Sequence, residues 1–147
     1  MKRILLALAL TTFAAGAIAA QAPALPTTKA TGGAEVYIIS PSDGATVGQH
    51  VVVRFGLKGM GVAPAGMAKE GTGHHHLLVD VKDLPAAGQP IAKDDNHIHF
   101  GGGQTETTLT LKPGMHTLQL ELGDANHIPF YPAVVSKKIT MHVRLDP

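Results

Sequence analysis

Apolar residues recur at every second position in several short segments of this chain. In residues 139–145 every odd-numbered position is apolar, and residues 51–57 have the same period. Successive side chains of a β-strand point to opposite faces of a sheet, so this pattern predicts strands that each bury one face. Only residues 64–70 are candidates for a helical turn, and a predominantly helical fold is therefore excluded.

Six strands of this kind are predicted, and turns rich in Pro, Gly, Ser and Asp separate them. The clearest hairpin spans residues 107–122, where Lys112-Pro113-Gly114 forms the turn. The predicted strands are residues 36–39, 51–57, 77–81, 107–111, 116–122 and 139–145. We therefore predict an all-β protein, a single antiparallel immunoglobulin-like β-sandwich. Three connections, at 59–73, 82–105 and 123–135, are long, and long loops in compact domains are often functional.

The first twenty residues resemble an export signal. Lys2 and Arg3 precede an apolar run over residues 4–18, and Ala17-Ile18-Ala19 fits the small-residue cleavage rule. The run is shorter than the ~20 residues of a usual membrane span. We predict a signal peptide at residues 1–20, a periplasmic location, and no membrane span after cleavage.

The rest of the chain is predicted to contain a leader and one domain. Residues 21–33 are small, Pro-rich and without periodicity, which predicts a flexible leader. The β-sandwich is then expected over residues 34–147. Because the sequence has no cysteine, disulfides and a lipidated N-terminal cysteine are excluded.

Charge and motifs exclude several classes of function. Without Lys2 and Arg3, ten basic residues stand against eleven acidic ones, so no basic patch for nucleic acid or anionic lipid is expected. A phosphate-binding loop of the Gly-x-x-x-x-Gly-Lys type and a serine nucleophile elbow are both missing from the sequence. We expect a binding protein rather than an enzyme.

Histidine is the residue type that indicates a site. The chain has nine histidines, and seven lie in four short clusters, around residues 74–76, 97–99, 116 and 127. In an extended segment, His74 and His76 share one face, and so do His97 and His99. Imidazole suits copper and zinc. We predict a transition-metal site, copper slightly before zinc, with five ligands: His74, His76, His97, His99 and His127.

Other residues narrow the choice of ion. Glu106 and Asp124 are candidates to ligate the ion or to hold the second ring nitrogen of a histidine. Without cysteine, a blue-copper centre is excluded, which leaves a His-rich copper or zinc site, or iron held by two histidines and a carboxylate. Met60 and Met67 are candidate thioether ligands for copper(I), although methionine more often fills gaps in a core.

Two further hypotheses remain open. In the first, the same histidines form a hydrogen-bond network in an envelope interaction or structural module, whose partner is an envelope protein. In the second, the protein is a zinc-dependent hydrolase with Glu106 as general base. His75 is expected to be a core residue, because it shares a face with Leu77 and Val79.

Several long strings resemble a known bacterial family. They are GMGVAPAG at 59–66, GHHHLLVD at 73–80, NHIHFGGGQTE at 96–106 and LGDANHIP at 122–129. The chain resembles, over about residues 35–145, a family of short secreted proteins classified only as a domain of unknown function, some of them mislabelled as rod-shape-determining proteins. The resemblance implies a small exported β-sandwich and no particular activity.

Overall fold

The computed structural model describes residues 23–146, and the predicted signal peptide lies outside them. The described residues form β-strands and no helix. The strands are β1 (Glu35–Ser40), β2 (Thr46–Val47), β3 (His50–Lys58), β4 (Gly61–Val62), β5 (Thr72–Val79), β6 (His97–His99), β7 (Glu106–Thr110), β8 (Gly114–Gly123) and β9 (Ile139–Val143).

The strands form two sheets. The smaller sheet has the order β1-β3-β7, and the larger has the order β2-β9-β8-β5-β4, with β6 also paired to β5. All pairs are antiparallel except β2 with β9 and β4 with β5. In one sheet β1 pairs with β3 and β3 pairs with β7, while in the other β5 pairs with β8 and β8 pairs with β9. Immunoglobulin-like sandwiches divide their strands between two sheets in this order. The predicted all-β sandwich is confirmed.

The core lies between the two sheets. Leu118, Leu120 and Leu122 of β8 are fully buried, and β3 contributes three further apolar residues at alternate positions, Val51, Val53 and Phe55. His75 of β5 lies in this core, and its ring centroid is 5.3 Å from that of Phe55. Burial lowers the pKa of His75. A backbone hydrogen bond with Gln104 raises it, but by less than burial lowers it. The expectation that His75 is a core residue is confirmed.

Strand β5 begins five residues before the predicted position. Every residue from Gly73 to Val79 is buried, so both faces of this strand are covered. A strand buried on both faces has no alternation of apolar and polar residues, which is why the pattern revealed only its second half. The early start places His74, His75 and His76 within a central strand rather than in a loop.

Part of the segment expected to be a flexible leader is hydrogen-bonded to the sandwich. The Leu25 N–H donates to the Gly88 carbonyl at 2.7 Å, and the Ala30 N–H donates to the Tyr131 carbonyl at 2.9 Å. The Tyr131 N–H donates in turn to the Thr28 carbonyl at 2.8 Å. These contacts fix residues 25–30 against two loops of the domain. Within residues 23–146, no helix has the length and apolar character that crossing a membrane requires.

Candidate metal centre

Four imidazole rings converge on the outer face of the larger sheet. His74 and His76 project from β5, and His99 lies directly opposite His76 in the β5–β6 pairing. His127 comes from the loop that follows β8. The six ring-centroid separations within this group lie between 4.6 and 5.9 Å. We call these four residues the histidine cluster.

Three of the four cluster histidines have ligand nitrogens close enough to form a possible metal site. One ligand nitrogen from each of His74, His99 and His127 lies within 4.8 Å of the other two. His76 adjoins this triad, with its ring centroid 4.7 Å from that of His74. Imidazoles bound tetrahedrally to one ion at ~2.0–2.1 Å would have ring centroids roughly 5 Å apart. The observed spacing is therefore that of rings arranged around a common point.

His74 and His76, the two cluster histidines of β5, are buried, and ring nitrogens of both lack hydrogen-bond partners among the described residues. His74 and His76 are each 1% exposed. Nε2 of His74 and both ring nitrogens of His76 form no hydrogen bond with any described residue. An unpaired buried polar group costs about 1–3 kcal/mol, and native proteins keep few of them. The nitrogens of His74 and His76 are therefore available to an ion.

The rings are held in the neutral form that binds metals. Burial first, and then repulsion from His127 and His99, lowers the pKa of His74 to about 4, although Asp124 opposes the shift. Burial, followed by the other cluster histidines, lowers the pKa of His76 to about 3. Burial, His127 and Lys93 lower the pKa of His99. At neutral pH these three rings keep their lone pairs, so no proton has to leave when a metal binds.

Asp124 positions His127 through the backbone. Oδ1 of Asp124 accepts the N–H groups of Asn126 at 2.8 Å and Ile128 at 3.0 Å, and its Oδ2 accepts the Thr28 hydroxyl at 2.6 Å. These bonds fold a tight loop in which His127 has φ = 65°. The left-handed conformation costs about 1–2 kcal/mol for a residue with a Cβ. The hydrogen bonds of Asp124 offset that cost and direct the ring of His127 toward the cluster.

Two glycines make room for the imidazoles. A Cβ at Gly123 would lie 2.6 Å from Cε1 of His76, and a Cβ at Gly101 would overlap the ring of His99. Both contacts are closer than a real Cβ approaches another atom. The rings of His76 and His99 therefore pack directly over backbone, which fixes their positions.

Comparison with protein families places the chain in a group of unknown role. Residues 53–144 match the family described as Domain of unknown function (DUF4399). The chain belongs to this family. The match confirms the resemblance to a domain-of-unknown-function family, and it includes all four residues of the histidine cluster. Neither the curated proteins nor the solved structures gave a match.

Two residues predicted to serve the site lie elsewhere in this DUF4399 domain. Nδ1 of His97 is 2.8 Å from Oδ1 of Asp94, and this hydrogen bond lowers the pKa of Asp94. His97 precedes His99 by two residues in β6, which is roughly 6.6 Å at the rise of a strand, and it pairs with Leu78 rather than with His76. Glu106 belongs to the smaller sheet, where its carboxylate pairs with Nε of Arg54 at 3.2 Å in solvent. The structure brings neither His97 nor Glu106 into the cluster.

The candidate thioether ligands also lie outside the cluster. Met60 packs against the hydrophobic core, and Met67 is exposed. Met67 borders a different pocket, which it shares with Thr28 and Asp124. The structure therefore provides no sulfur ligand to the four imidazoles from the residues it describes.

The alternation pattern missed Glu121. This residue is 1% exposed and lies directly opposite His76 in the β5–β8 pairing. Burial raises the pKa of Glu121 to about 7, and its Oε2 has no hydrogen-bond partner among residues 23–146. Because Glu121 lies between the inward-facing Leu120 and Leu122, its side chain is on the outer face of the sheet, where alternation gives no reason to expect burial. The signal that could have identified Glu121 as a site residue is the pairing of β8 with β5, the strand that contains His74 and His76.

A pocket leads from solvent to the cluster. Its volume is about 380 Å³, and its lining consists of His76, Pro90, Ile91, Lys93, His99 and His127. The buried Ile91 donates its N–H to the His127 carbonyl at 2.8 Å, which ties the pocket wall to the cluster. An ion or a small molecule can therefore reach three of the four rings without rearrangement of the sheet.

Proposed function

We propose that this protein is an exported β-sandwich protein that binds one transition-metal ion, copper or zinc, without catalysing a reaction. The proposed ligands are His74, His76, His99 and His127. One observation carries the proposal: His74, His99 and His127, from three separate segments, have ligand nitrogens within 4.8 Å of one another. The close packing of the four rings, and the lowered pKa values of His74, His76 and His99, are features that a nitrogen-rich metal site requires.

The donor set favours copper(II) slightly over zinc. Four imidazoles without a thiolate suit both ions, and sites of a given nitrogen donor set bind copper(II) more tightly than zinc. The pocket beside His76, His99 and His127 gives the ion access from solvent. Export is part of the proposal because of the signal-like pattern in residues 1–20, and the absence of cysteine is compatible with a periplasmic location.

Calorimetric titration of the purified protein with zinc(II) and copper(II) at pH 7.5 tests this proposal. We expect one ion per chain, with a dissociation constant below the micromolar range. Replacement of both His99 and His127 by Ala should abolish that binding, while His142→Ala, on the exposed face of β9, should not change it. Binding no tighter than micromolar in the wild-type protein would refute the proposal.

A metal-free interaction module is the second candidate. The hydrogen bond between the Nε2 atoms of His99 and His127, at 3.0 Å, is compatible with histidines that only brace two loops. In that case a pull-down in the presence of a chelator should recover an envelope partner. The unpaired nitrogens of His74 and His76 favour the metal over this alternative. A hydrolase with Glu106 as general base has no support from the position of Glu106.

A further inference from the structure

Glu121 is a buried carboxyl group in the same row of side chains as two cluster histidines. Glu121, His76 and His99 are direct partners across β8, β5 and β6, so all three project from one face of the sheet. Directly paired residues of antiparallel strands have Cβ atoms about 4.5–5.5 Å apart. The side chain of Glu121 therefore starts beside that of His76, on the face of the sheet that carries the proposed metal centre, although nothing in the sequence pattern marked it.

The hydrogen-bonding groups of Glu121 and His76 are complementary. Both ring nitrogens of His76 and Oε2 of Glu121 are buried without a partner among the described residues. One nitrogen of a metal-bound imidazole binds the ion, and the other usually donates its N–H to a carboxylate or a carbonyl. His76 has a second nitrogen for that purpose, and Glu121, which has an unpaired oxygen, occupies the directly paired position on the neighbouring strand.

Asp124, the other buried acidic residue, is already engaged. Its Oδ1 accepts two backbone N–H groups and its Oδ2 accepts the Thr28 hydroxyl. Glu121 is therefore the buried carboxyl group with an oxygen that has no hydrogen-bond partner among the described residues. Because the imidazoles carry no charge in their ligand form, this carboxylate adds a negative charge to that of Asp124, on the side of the cluster where His76 lies.

The charge of the ion and the type of ligand atom it prefers both distinguish copper(II) and zinc(II) from copper(I). The attraction between a carboxylate and a cation doubles when the charge of the cation doubles. Copper(I) also prefers soft sulfur ligands, and neither Met60 nor Met67 joins the cluster. A centre of neutral imidazoles beside a buried carboxylate is thus better suited to a dication than to copper(I).

We propose that Glu121 is a positioning residue that makes the centre selective for divalent ions, copper(II) or zinc(II), over copper(I). It accepts a hydrogen bond from His76 and supplies the buried negative charge that a dication requires. This inference rests on the proposed metal-binding function, and it adds to that function the charge of the ion and the residue that selects it.

The test compares three ions in matched variants at pH 8. Affinities for zinc(II), copper(II) and copper(I) are measured by chelator competition for the wild-type protein, Glu121→Gln and Glu106→Gln. Glu121→Gln should weaken zinc(II) and copper(II) binding by about 10–100-fold, as is typical of residues that orient a metal ligand, and should leave copper(I) binding nearly unchanged. The reduction potential of the bound copper should rise accordingly. Glu106→Gln, an exposed carboxylate of the other sheet, should match the wild type for all three ions.

The outcomes separate this inference from the proposed function. If the wild-type protein binds none of the ions, the proposed function fails and the role of Glu121 fails with it. If the wild type binds metal but Glu121→Gln affects all three ions equally, or none, the selectivity role alone is refuted. Glu121→Asp keeps the charge and should retain the preference for divalent ions, so it tests the inference even if Glu121→Gln does not fold. Thermal unfolding of the metal-free variants checks their folding.

Discussion

The Nε2 atoms of His99 and His127 lie 3.0 Å apart, although 28 residues separate the two histidines in the chain. His99 belongs to β6, and His127 belongs to the loop after β8 that Asp124 organises. In the hydrogen bond between them, one ring donates an N–H to the other ring. An ion bound to both Nε2 atoms would require that proton to move to Nδ1 of the same ring, so that each neutral ring turns a lone pair toward the ion. The same two histidines therefore form a hydrogen bond in the metal-free fold and are proposed ligands in the metal-bound one.

Single substitutions of this pair should separate metal binding from folding. His99→Ala or His127→Ala should weaken zinc binding by more than about 100-fold, because the loss of a ligand exceeds the roughly 10–100-fold effect of a residue behind the ligands. Both rings are only half-buried, so the free energy of unfolding without metal should change by about 1 kcal/mol or less. Calorimetry and urea unfolding in a chelator give the two quantities. Equal affinity in wild type and variant would remove that histidine from the ligand set.

Substitutions in the core between the two sheets should lower the free energy of unfolding much more than substitutions at the histidine cluster. Leu120 is fully buried on β8, and Leu120→Ala should lower the free energy of unfolding by about 2–5 kcal/mol, through lost burial and the cavity left behind. Leu145→Ala provides a matched control, because Leu145 is 73% exposed. The control should change the stability by less than about 0.5 kcal/mol. Similar effects of the two substitutions would contradict the assignment of the core.

The metal-free protein should lose stability on acidification. A histidine whose pKa is lower in the folded chain stabilises the fold above its ordinary pKa of 6.5, and that contribution is lost as the pH falls toward the folded value. This applies to His74, with a pKa of about 4, to His76, with a pKa of about 3, and to His75 and His99 by direction. Glu121 acts in the opposite sense, since its raised pKa favours the fold below 4.5 and disfavours it as the pH rises through about 7.

Four histidines with lowered pKa values destabilise the fold as the pH falls, and we expect their combined effect to exceed the opposite effect of Glu121. Urea unfolding in a chelator should therefore give a lower free energy of unfolding at pH 5 than at pH 7.5. His76→Gln should reduce the difference, because one group that must take up a proton on unfolding is gone. A metal-free protein that is equally stable at both pH values would show that these rings are not held neutral by the fold.

His116 should titrate above an ordinary histidine. Burial alone would lower its pKa, but the hydrogen bonds with the Asp80 carboxylate at 2.7 Å and the Lys112 carbonyl at 2.8 Å raise it overall. The resulting stabilisation is present below pH 6.5 and is lost as the pH rises through the folded pKa. An NMR titration of Asp80→Asn should show a lower pKa for His116 than in the wild-type protein. No change at His116 would contradict the role of Asp80.

The sequence predicted those parts of the molecule that depend on local periodicity. Alternation correctly indicated β8 and β9, and it placed His74 and His76 on one face of a strand. It failed for the start of β5, because a central strand with two covered faces shows no alternation. The sandwich class followed from the number of strands, while the pairing of β5 with β8 and β6 depends on contacts distant in sequence.

The errors at the site have specific causes. Alternation with His99 predicts His97 as a ligand, but the group of close ligand nitrogens does not include it, and its Nδ1 forms a hydrogen bond with Asp94, three residues earlier. Glu106 is close to the histidines in the sequence, but β7 belongs to the other sheet. The burial of Glu121 could not be predicted, because it depends on the pairing of β8 with β5, which brings together residues distant in sequence.

The X-ray absorption spectrum of the protein loaded with one equivalent of zinc(II) tests the metal centre most directly. We predict three or four imidazole nitrogens at ~2.0–2.1 Å, with the outer scattering of histidine rings and without sulfur. His99→Ala should reduce the number of imidazoles by one. A spectrum with oxygen ligands alone, or one that is unchanged in His99→Ala, would contradict the account.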